Sequence, residues 1–405
     1  MNTQIDGRYF GKGGPLFKLY LVTAVLTVLT LGVYRFWAKT RIRKYIWSSV
    51  SGDDDSFEYT GTGLEKFLGF LVAIVILAIY LGIVQMALFF FGLNLFVLPD
   101  TPGQEIAQFF AIYVTLLAVV PLMLFARYRA RRYRMARTRW RGIRFGMENG
   151  AWGYAFRAIG YYLLVLLSLG LLNPLATFKL EKYMADRTWY GDGRFVQTGK
   201  WTDLYGGMKH LLIAFAILAA GIIAVAMAGT RNEVGTGVFG GVLLFVGYVW
   251  ALIGLIYYRV YAFNYLTARK RLDDHVTFLA RLETSAIIGK IVVGSIVVGV
   301  VVTVVFGVIG SIGAGIFMSM SSGTDFDPNA GTFLGLALIG VLYAGAILAT
   351  GGLSLVLITQ PVIAHAVEHV TVLQAEHLDS IRQRSADKGA DAEGFADALD
   401  VGGAI

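Results

Sequence analysis

The residues of this sequence that are best suited to chemistry form one short pattern near its end. His365 and His369 flank Glu368 in an H-x-x-E-H arrangement, and two histidines four residues apart lie on the same face of a helix. They could share a zinc ion, as in the inverted zinc-protease motif, with Glu376 or His377 as a third ligand. A metal site and a polar helix end both stay open. The helix end is favoured, because only 36 residues follow His369, too few for a peptidase subdomain.

Other enzyme motifs are missing from the sequence. It contains no cysteine, which excludes disulfides, thiolate metal sites and cysteine nucleophiles. No glycine-rich phosphate loop and no G-x-S-x-G turn stands out. We therefore predict that the protein is not an enzyme, with no catalytic residue and no cofactor.

Basic residues are concentrated in a few segments. Nine arginines lie between Arg127 and Arg144, and a helix formed there would be basic over most of its circumference. Such a helix suits anionic lipid, where each charge contributes about 1 kcal/mol. RNA binding is the alternative, but the segment adjoins an apolar run and the net charge of +8 is low for a nucleic-acid binder. We predict no nucleic acid partner, and contact with anionic headgroups on the cytoplasmic face for Arg41, Arg43, Lys44, Arg127, Arg129, Arg131, Arg132, Arg134, Arg137, Arg139, Arg141, Lys179 and Lys182.

Membrane helices must position these residues, because the chain is too apolar for an ordinary globular protein. Of its 405 residues 56% are hydrophobic and only 15% are charged, which is typical of a polytopic membrane protein. A bilayer core of about 30 Å requires roughly 20 apolar residues per helix. Six runs meet this length, at residues 66–97, 106–126, 204–229, 236–257, 286–318 and 331–363.

Two further apolar runs, at 16–36 and 159–178, belong to an internal repeat. Residues 29–61 match residues 167–199 at a constant offset of 138, with identities that include Gly32 with Gly170 and Phe57 with Phe195. Each run is interrupted early, the first by Gly32 and the second by Gly170 and the following Asn173-Pro174.

The positions of basic residues indicate how these two runs lie. Cytoplasmic loops carry the excess of Lys and Arg, whereas residues 98–105 and 319–330 contain neither. If both interrupted runs enter and leave on one side, every basic loop is cytoplasmic and so are both termini. We therefore predict two re-entrant helical hairpins with tips at Gly32, Gly170, Asn173 and Pro174, held inside the bundle. Eight plain crossings remain the alternative.

Short strands are expected beside these helices, where they form a small sheet or a set of hairpins on the cytoplasmic face. Ser56–Thr60 alternates polar and aromatic residues, and 189–196 has the pattern of a hairpin in which Asp192-Gly193 supplies the positive φ. The predicted fold class is thus an all-α polytopic membrane protein with six transmembrane helices, two re-entrant hairpins and a few short cytoplasmic strands or hairpins. The predicted divisions are two membrane repeats at 1–138 and 139–270, a helix pair at 271–383 and a disordered tail at 384–405.

These motifs together resemble the YjgN-like family of bacterial inner-membrane proteins. The resemblance rests on the doubled segment, of which TLGVYRFWAKTRIRKY is the most specific part, and on the W-x-G-x-G-R-F hairpin and the EGFADALDVG tail. It implies a multi-pass location in a Gram-negative inner membrane. It implies no activity, because the family is a domain of unknown function.

Two classes of function stay open. The six runs contain almost no ionisable residue, which argues against an ion-coupled transporter. The first class is a non-enzymatic scaffold that binds lipid or a protein partner, either a second copy or another membrane protein, through its glycine-rich helices. The second is a passive channel or transporter with a path lined by the two re-entrant hairpins.

Overall fold

The computed structural model of the chain describes residues 3–231, 233–321 and 330–384. The predicted tail lies almost entirely outside these residues. Six described helices are long and apolar enough to cross a membrane, which confirms the number predicted from the hydrophobic runs. They are Gly63–Phe90, Pro102–Ala136, Lys209–Thr230, Val234–Ala268, Thr284–Met318 and Phe333–Glu368.

The helices form five antiparallel pairs along the chain. The first and third pairs are short, with helices of 13 to 17 residues, roughly 20–25 Å long. The last pair has a π-helical turn, Leu355–Thr359, between α10 and α11. The bounds are α1 Gly13–Leu29, α2 Arg35–Ser48, α3 Gly63–Phe90, α4 Pro102–Ala136, α5 Ala151–Leu167, α6 Asn173–Ala185, α7 Lys209–Arg231, α8 Val234–Ala268, α9 Thr284–Ser321, α10 Ala330–Ser354 and α11 Gln360–Glu368.

Eleven short strands join the ends of these helix pairs. They are β1 Gln4–Tyr9, β2 Val50–Gly52, β3 Asp55–Ser56, β4 Glu58–Tyr59, β5 Thr138–Trp140, β6 Ile143–Met147, β7 Thr188–Tyr190, β8 Gly193–Gln197, β9 Lys270–Leu272, β10 Val276–Ala280 and β11 Val370–Leu373. All pair antiparallel in one sheet of order β3-β2-β1-β11-β10-β9-β8-β7-β6-β5-β4. The two edge strands are separated in sequence by Phe57 alone, so the chain itself nearly closes the sheet into a ring.

The ring corrects the all-α fold class. A small sheet or a set of hairpins was predicted, but not a single nearly closed sheet of eleven strands. Each strand has only two to six residues, too few for a clear alternating pattern, and its partners lie as far away as Gln4 and Leu373. The sheet therefore depends on pairing between segments that are distant in sequence, which local patterns do not reveal.

Tight turns with positive φ connect the strands. Asp53 and Asp54 between β2 and β3, and Arg141 and Gly142 between β5 and β6, all have positive φ, as in the hairpin turns that match strand twist. Between β7 and β8 the positive φ falls on Gly191. The predicted hairpin is thus present, but its left-handed residue is not in the Asp192-Gly193 pair.

Both ends of every helix pair attach to neighbouring strands of the ring. α1 and α2 connect β1 to β2, α3 and α4 connect β4 to β5, and the next pairs connect β6 to β7, β8 to β9 and β10 to β11. Direct contacts of α2 with α3, α4 with α5, α8 with α9 and α1 with α10 join neighbouring pairs. The 3₁₀ turn Trp201–Gly207 contacts α6, α7 and α8 and so joins the third pair to the fourth. All five pairs therefore begin and end at the ring.

The turns of the two short pairs have the same backbone conformation. Leu31 and Leu169 have φ of 51° and 52°, and Gly32 and Gly170 have φ of 93° and 90°. Each glycine N–H donates to a carbonyl five residues earlier at 2.7 Å. The Thr30 hydroxyl accepts from the backbone N–H of Tyr34, just before α2, at 2.9 Å. The Ser168 hydroxyl accepts from the backbone N–H of Leu172, just before α6, at 3.0 Å. The turns therefore satisfy much of their own backbone.

The tips are not held inside a bundle, contrary to the sequence-based expectation. Leu31 is 96% exposed and Leu169 is 76% exposed, and a Cβ added at Gly32 or Gly170 would meet nothing within 4 Å. Local hydrogen bonding explains the difference, because a turn that satisfies its own polar groups does not need surrounding protein at membrane depth.

Candidate functional site

An apolar cavity of about 370 Å³ lies inside the ring, and we call it the ring chamber. Nine of the eleven strands contribute lining residues, and Phe57, between the other two, completes the circle. The aromatic lining residues that belong to the ring are Phe57, Trp140, Phe145, Tyr190, Phe195 and Phe278. The volume falls within the range of about 300–1,000 Å³ that is typical of small-molecule sites.

The aromatic side chains follow one another around the wall of the chamber. Phe57 stacks on Trp140 with ring centroids 5.5 Å apart, and the contacts continue from Phe57 to Phe145 at 6.3 Å, to Phe195 at 6.5 Å and to Phe278 at 6.0 Å. Period-2 alternation explains this arrangement, since β5, β6, β7, β8 and β10 each point one aromatic side chain inward. The wall is thus almost purely apolar and cannot bind a charged group.

Tyr190 contributes the one hydroxyl among these aromatic rings. Its Oη donates to the carbonyl oxygen of Trp140 at 3.0 Å, so the polar end of the side chain is bonded to the ring itself. Burial raises the pKa of Tyr190 above its ordinary value. The hydroxyl therefore stays neutral and stabilises the sheet through its hydrogen bond to Trp140.

A short segment after β11 covers one mouth of the chamber. The 3₁₀ turn Ala375–Ser380 places Leu378 against the ring core. The Arg141 guanidinium bonds the Asp379 carboxylate at 2.8 Å. The Asp192 backbone N–H donates to the Arg382 carbonyl at 2.9 Å, and the Arg382 N–H donates back to the Asp192 carboxylate at 2.9 Å. These bonds fix the segment to two turns of the ring.

The other mouth faces the helices and continues into a second apolar cavity. Ile363, Ala366 and Val367 of α11 and Phe263 of α8 line this side of the chamber. A neighbouring cavity of about 410 Å³ shares Ile363 and Phe57 with the chamber and reaches Trp47 and Met135. The apolar space therefore extends from the ring to the space between α2, α4 and α11.

A third cavity, of about 630 Å³, adjoins the chamber at Phe263 and is polar, and we call it the polar cavity. It lies between α4, α6 and α8. Its polar lining residues are Arg131, Asn173, Thr177, Glu181, Tyr258, Arg259, Thr267 and Lys270. A site with one apolar arm and one polar arm can hold an amphipathic molecule.

Glu181 is the electrostatic centre of the polar cavity. Its carboxylate accepts from Arg131 Nη1 at 2.7 Å and Nη2 at 3.0 Å, and from Lys270 Nζ at 3.1 Å. Burial by itself would raise the pKa of Glu181, but the two cations outweigh it and hold the pKa well below its usual range. The carboxylate is therefore ionised and links α4, α6 and β9.

The structure disperses the basic residues that were predicted to meet anionic lipid. Of that set only Arg41, Lys44, Arg127 and Lys179 are exposed. Others form bonds within the protein. Arg137 bonds the Glu65 carboxylate at 3.1 Å, and Arg132 donates to the Met147 carbonyl at 3.1 Å. Arg43 donates to the Tyr59 hydroxyl at 3.2 Å, and Lys182 donates to the Gln197 carbonyl at 2.6 Å. Lipid contact by the four exposed residues stays a prediction.

The H-x-x-E-H residues lie where α11 enters β11. The His365 and His369 rings are neighbours, with centroids 3.9 Å apart, but His369 Nδ1 is 2.8 Å from the His365 carbonyl oxygen and Glu368 is exposed. His377 stacks on His275 instead. Within residues 3–231, 233–321 and 330–384, no group of three or more His, Asp or Glu side chains could hold a metal ion.

The four predicted tip residues have different surroundings. Gly32 and Gly170 line none of the cavities described above. Pro174 is buried at the start of α6. Asn173 lines the polar cavity, so only one of the four reaches the candidate site.

Sequence reasoning missed most of the residues of this site. Five of the aromatic residues lie one per strand and Phe57 lies between two strands. They show no motif, although the identity of Phe57 and Phe195 within the repeat is a usable signal. Glu181 and Lys270 are 89 residues apart, and no local pattern joins them.

Comparison with known proteins identifies relatives but no activity. Residues 4–398 match the family described as "Bacterial protein of unknown function (DUF898)". Inner membrane protein YjgN of Salmonella typhimurium is 28% identical over 151 residues, which are 36% of this chain and 33% of that protein. Inner membrane protein YjgN of Escherichia coli O157:H7 is 25% identical over 166 residues, 40% of this chain and 35% of that protein.

The matched region spans about a third of the length of these curated relatives. No solved structure matches the chain. The family match covers nearly the whole sequence and confirms the resemblance inferred from the doubled segment. The chain therefore belongs to the DUF898 family of bacterial proteins of unknown function.

Proposed function

We propose that this protein is a non-enzymatic, multi-pass protein of the bacterial inner membrane that binds the acyl chain of a membrane lipid in the ring chamber. The proposal rests on the ring chamber. Protein interiors leave few voids larger than a water molecule, whereas this apolar space measures about 370 Å³ and opens into another of about 410 Å³. A flexible hydrocarbon chain is the ligand that such a space fits.

The position of the chamber supports this proposal. It lies where five helix pairs meet the ring, and its open mouth faces the helices through Ile363 and Phe263. In the membrane this mouth would face the bilayer, the source of acyl chains. Burial of each methylene group contributes about 0.8 kcal/mol, so a few carbon atoms inside the chamber would retain a lipid.

The proposed topology places the ring on the cytoplasmic side. Because both ends of each short pair attach to the ring, α1–α2 and α5–α6 would enter and leave on one side as re-entrant hairpins. Their helices are shorter than the roughly 30 Å of a bilayer core. Basic residues near the ring then obey the positive-inside rule.

Two observations favour lipid binding over the passive channel. A channel lined by both short hairpins needs their tips in a shared polar path. The tips are instead exposed apolar turns, with Leu31 96% exposed, and the polar cavity is lined by residues of α6 but by none of α1 or α2.

The test is to fill the chamber and measure the lipid that co-purifies. The full chain is purified in mild detergent, and bound lipid is quantified by mass spectrometry of extracts and of the intact complex. Ala366→Phe places a ring in the chamber and would displace about two methylene groups, which corresponds to a roughly tenfold loss of bound lipid.

Ala364→Phe is the matched control, because it adds the same ring to α11 at a residue that does not line the chamber. It should retain lipid at the wild-type level. Equal retention by wild type and Ala366→Phe, with both variants folded, would contradict a chain-binding role.

A further inference from the structure

We propose that the polar cavity binds a phosphate group, and that the ligand of the proposed lipid site is therefore an anionic amphiphile whose phosphate lies beside Arg259 and Lys270. This inference rests on the proposed function for the acyl chain, while the phosphate site itself stands on separate residues. It differs from lipid contact at isolated basic side chains, because the site is a cavity between α4, α6 and α8.

The balance of charge in the polar cavity favours an anion. Three cations, Arg131, Arg259 and Lys270, line it together with one carboxylate, Glu181. The two guanidinium nitrogens of Arg131 bond both oxygens of Glu181, so this pair is neutral overall. Two positive charges remain for a ligand.

Two polar side chains of the cavity have no partner in the described part of the chain. Arg259 makes no hydrogen bond or ion pair there, and neither does the side-chain amide of Asn173. Both line the same cavity, beside helices that are long and apolar enough to span a membrane. The Arg259 side chain is exposed, so its guanidinium is accessible to a ligand, and a guanidinium is well suited to phosphate.

The remaining polar groups are donors that a phosphate can use. Lys270 carries three ammonium protons, of which one bonds Glu181 at 3.1 Å. The Tyr258 hydroxyl donates to Thr177 Oγ1 at 2.9 Å, which leaves the Thr177 proton free to turn toward a ligand. Each group lies on α6, α8 or β9.

The shared wall of the two cavities explains why the ligand should carry an acyl chain. Phe263 lines both the ring chamber and the polar cavity. The acyl chain of a lipid whose headgroup lies beside Arg259 would therefore extend past Phe263 directly into the apolar ring chamber. A free phosphate ion would use the same donors but not the chamber, so the test must separate these two sources.

The experiment measures binding to the purified, delipidated full chain by intact mass spectrometry. The probes are dioleoyl phosphatidylglycerol, dioleoylglycerol, which has the same chains without phosphate, and inorganic phosphate alone. Arg259→Gln should weaken phosphatidylglycerol binding about tenfold, as for the loss of one charged hydrogen bond. Dioleoylglycerol binding should not change.

Matched variants separate charge from folding. Lys18→Gln removes an exposed cation from α1, which does not line the cavity, and should bind phosphatidylglycerol as the wild type does. Arg259→Lys keeps the charge and should restore most of the binding lost in Arg259→Gln. If Arg259→Gln does not fold, Asn173→Leu tests the same site from α6 and should also weaken phosphatidylglycerol selectively.

The outcomes distinguish the two proposals. Equal phosphatidylglycerol binding by wild type and Arg259→Gln, with dioleoylglycerol still bound, would overturn the phosphate site and leave the chain-binding function intact. Binding of inorganic phosphate, lost in Arg259→Gln, without retention of either lipid would support the anion site and overturn the lipid function. Binding of no probe would overturn both.

Discussion

Arg131 Nη1 lies 2.7 Å from Glu181 Oε2 and joins the third-pair helix α6 to the spanning helix α4. Lys270, where α8 passes into β9, bonds the other carboxylate oxygen at 3.1 Å. One carboxylate therefore links three helix pairs at the level of the ring. Its two cations would repel each other without it, so Glu181 stabilises the contact among these pairs.

Glu181→Gln should destabilise the protein by about 3 kcal/mol, because it leaves two cations beside each other in a partly buried site. The measurement is the free energy of unfolding in detergent. Glu105→Gln, an exposed substitution in the first turn of α4, serves as the control and should change it little. A loss as small as that of the control would contradict the role assigned to Glu181.

The stability of the wild type should depend on pH through the same carboxyl group. Its folded pKa is depressed, so its stabilisation is complete above the unfolded pKa of about 4.3 and is lost as pH falls through the folded pKa. Melting curves below about pH 4.3 should therefore fall more steeply for the wild type than for Glu181→Gln. Parallel curves would show that the carboxyl titrates normally.

We expect opposite effects on stability from two glycine substitutions in the hairpin formed by α5 and α6. Gly170→Ala places a side chain at φ +90° and should cost roughly 1–2 kcal/mol of stability. Gly160→Ala lies within α5, where an added Cβ meets open space, and should stabilise by about 0.5–1 kcal/mol. Thermal unfolding of both variants checks the pair, and a neutral Gly170→Ala would contradict the strained turn.

Topology can be tested by cysteine labelling, since the native chain has none. Asp54→Cys and Asp192→Cys, in turns of the ring, should react with an impermeant maleimide only after the inner membrane is opened. Leu98→Cys, between α3 and α4, should react from the periplasm. Leu169→Cys, at a hairpin tip, should react from neither side. Periplasmic labelling at residue 54 or 192 would rule out the re-entrant arrangement.

The H-x-x-E-H residues should not hold zinc. His369 already contacts the His365 carbonyl, and the described chain gathers no third acidic or histidine ligand. Metal analysis after dialysis should give far less than one zinc per chain for the wild type and for His365→Ala with His369→Ala. One zinc per chain in the wild type, lost in the double variant, would contradict this prediction.

Much of the architecture is readable from local sequence. The six spanning helices follow from hydrophobic runs that are long enough on their own to cross a bilayer. The reversals at Gly32 and Gly170 follow from glycines in otherwise apolar helices, and both have positive φ. These features depend on neighbouring residues, so a single sequence carries their signal.

The residues of the candidate site are harder to predict from local sequence. The sequence pattern predicts that Asn173 is a tip residue. It lines the polar cavity instead, because α6 begins just beyond the turn. Arg131 was selected as a lipid-facing residue and instead bonds Glu181. In both cases the residue type was informative, while the direction of the side chain depended on which helix packs beside it.

The sequence by itself determined the number of spans, the places where the short helix pairs reverse, and the presence of strands beside the helix ends. Only the tertiary structure decided that eleven strands close into one ring, that its inward side chains enclose an apolar chamber, and that Glu181 meets Arg131 and Lys270. The physical reason is the sequence separation over which each interaction acts. Helix formation and membrane crossing are set within about 20 consecutive residues, whereas pairing of β1 with β11 joins Gln4 to Leu373 and depends on the whole chain.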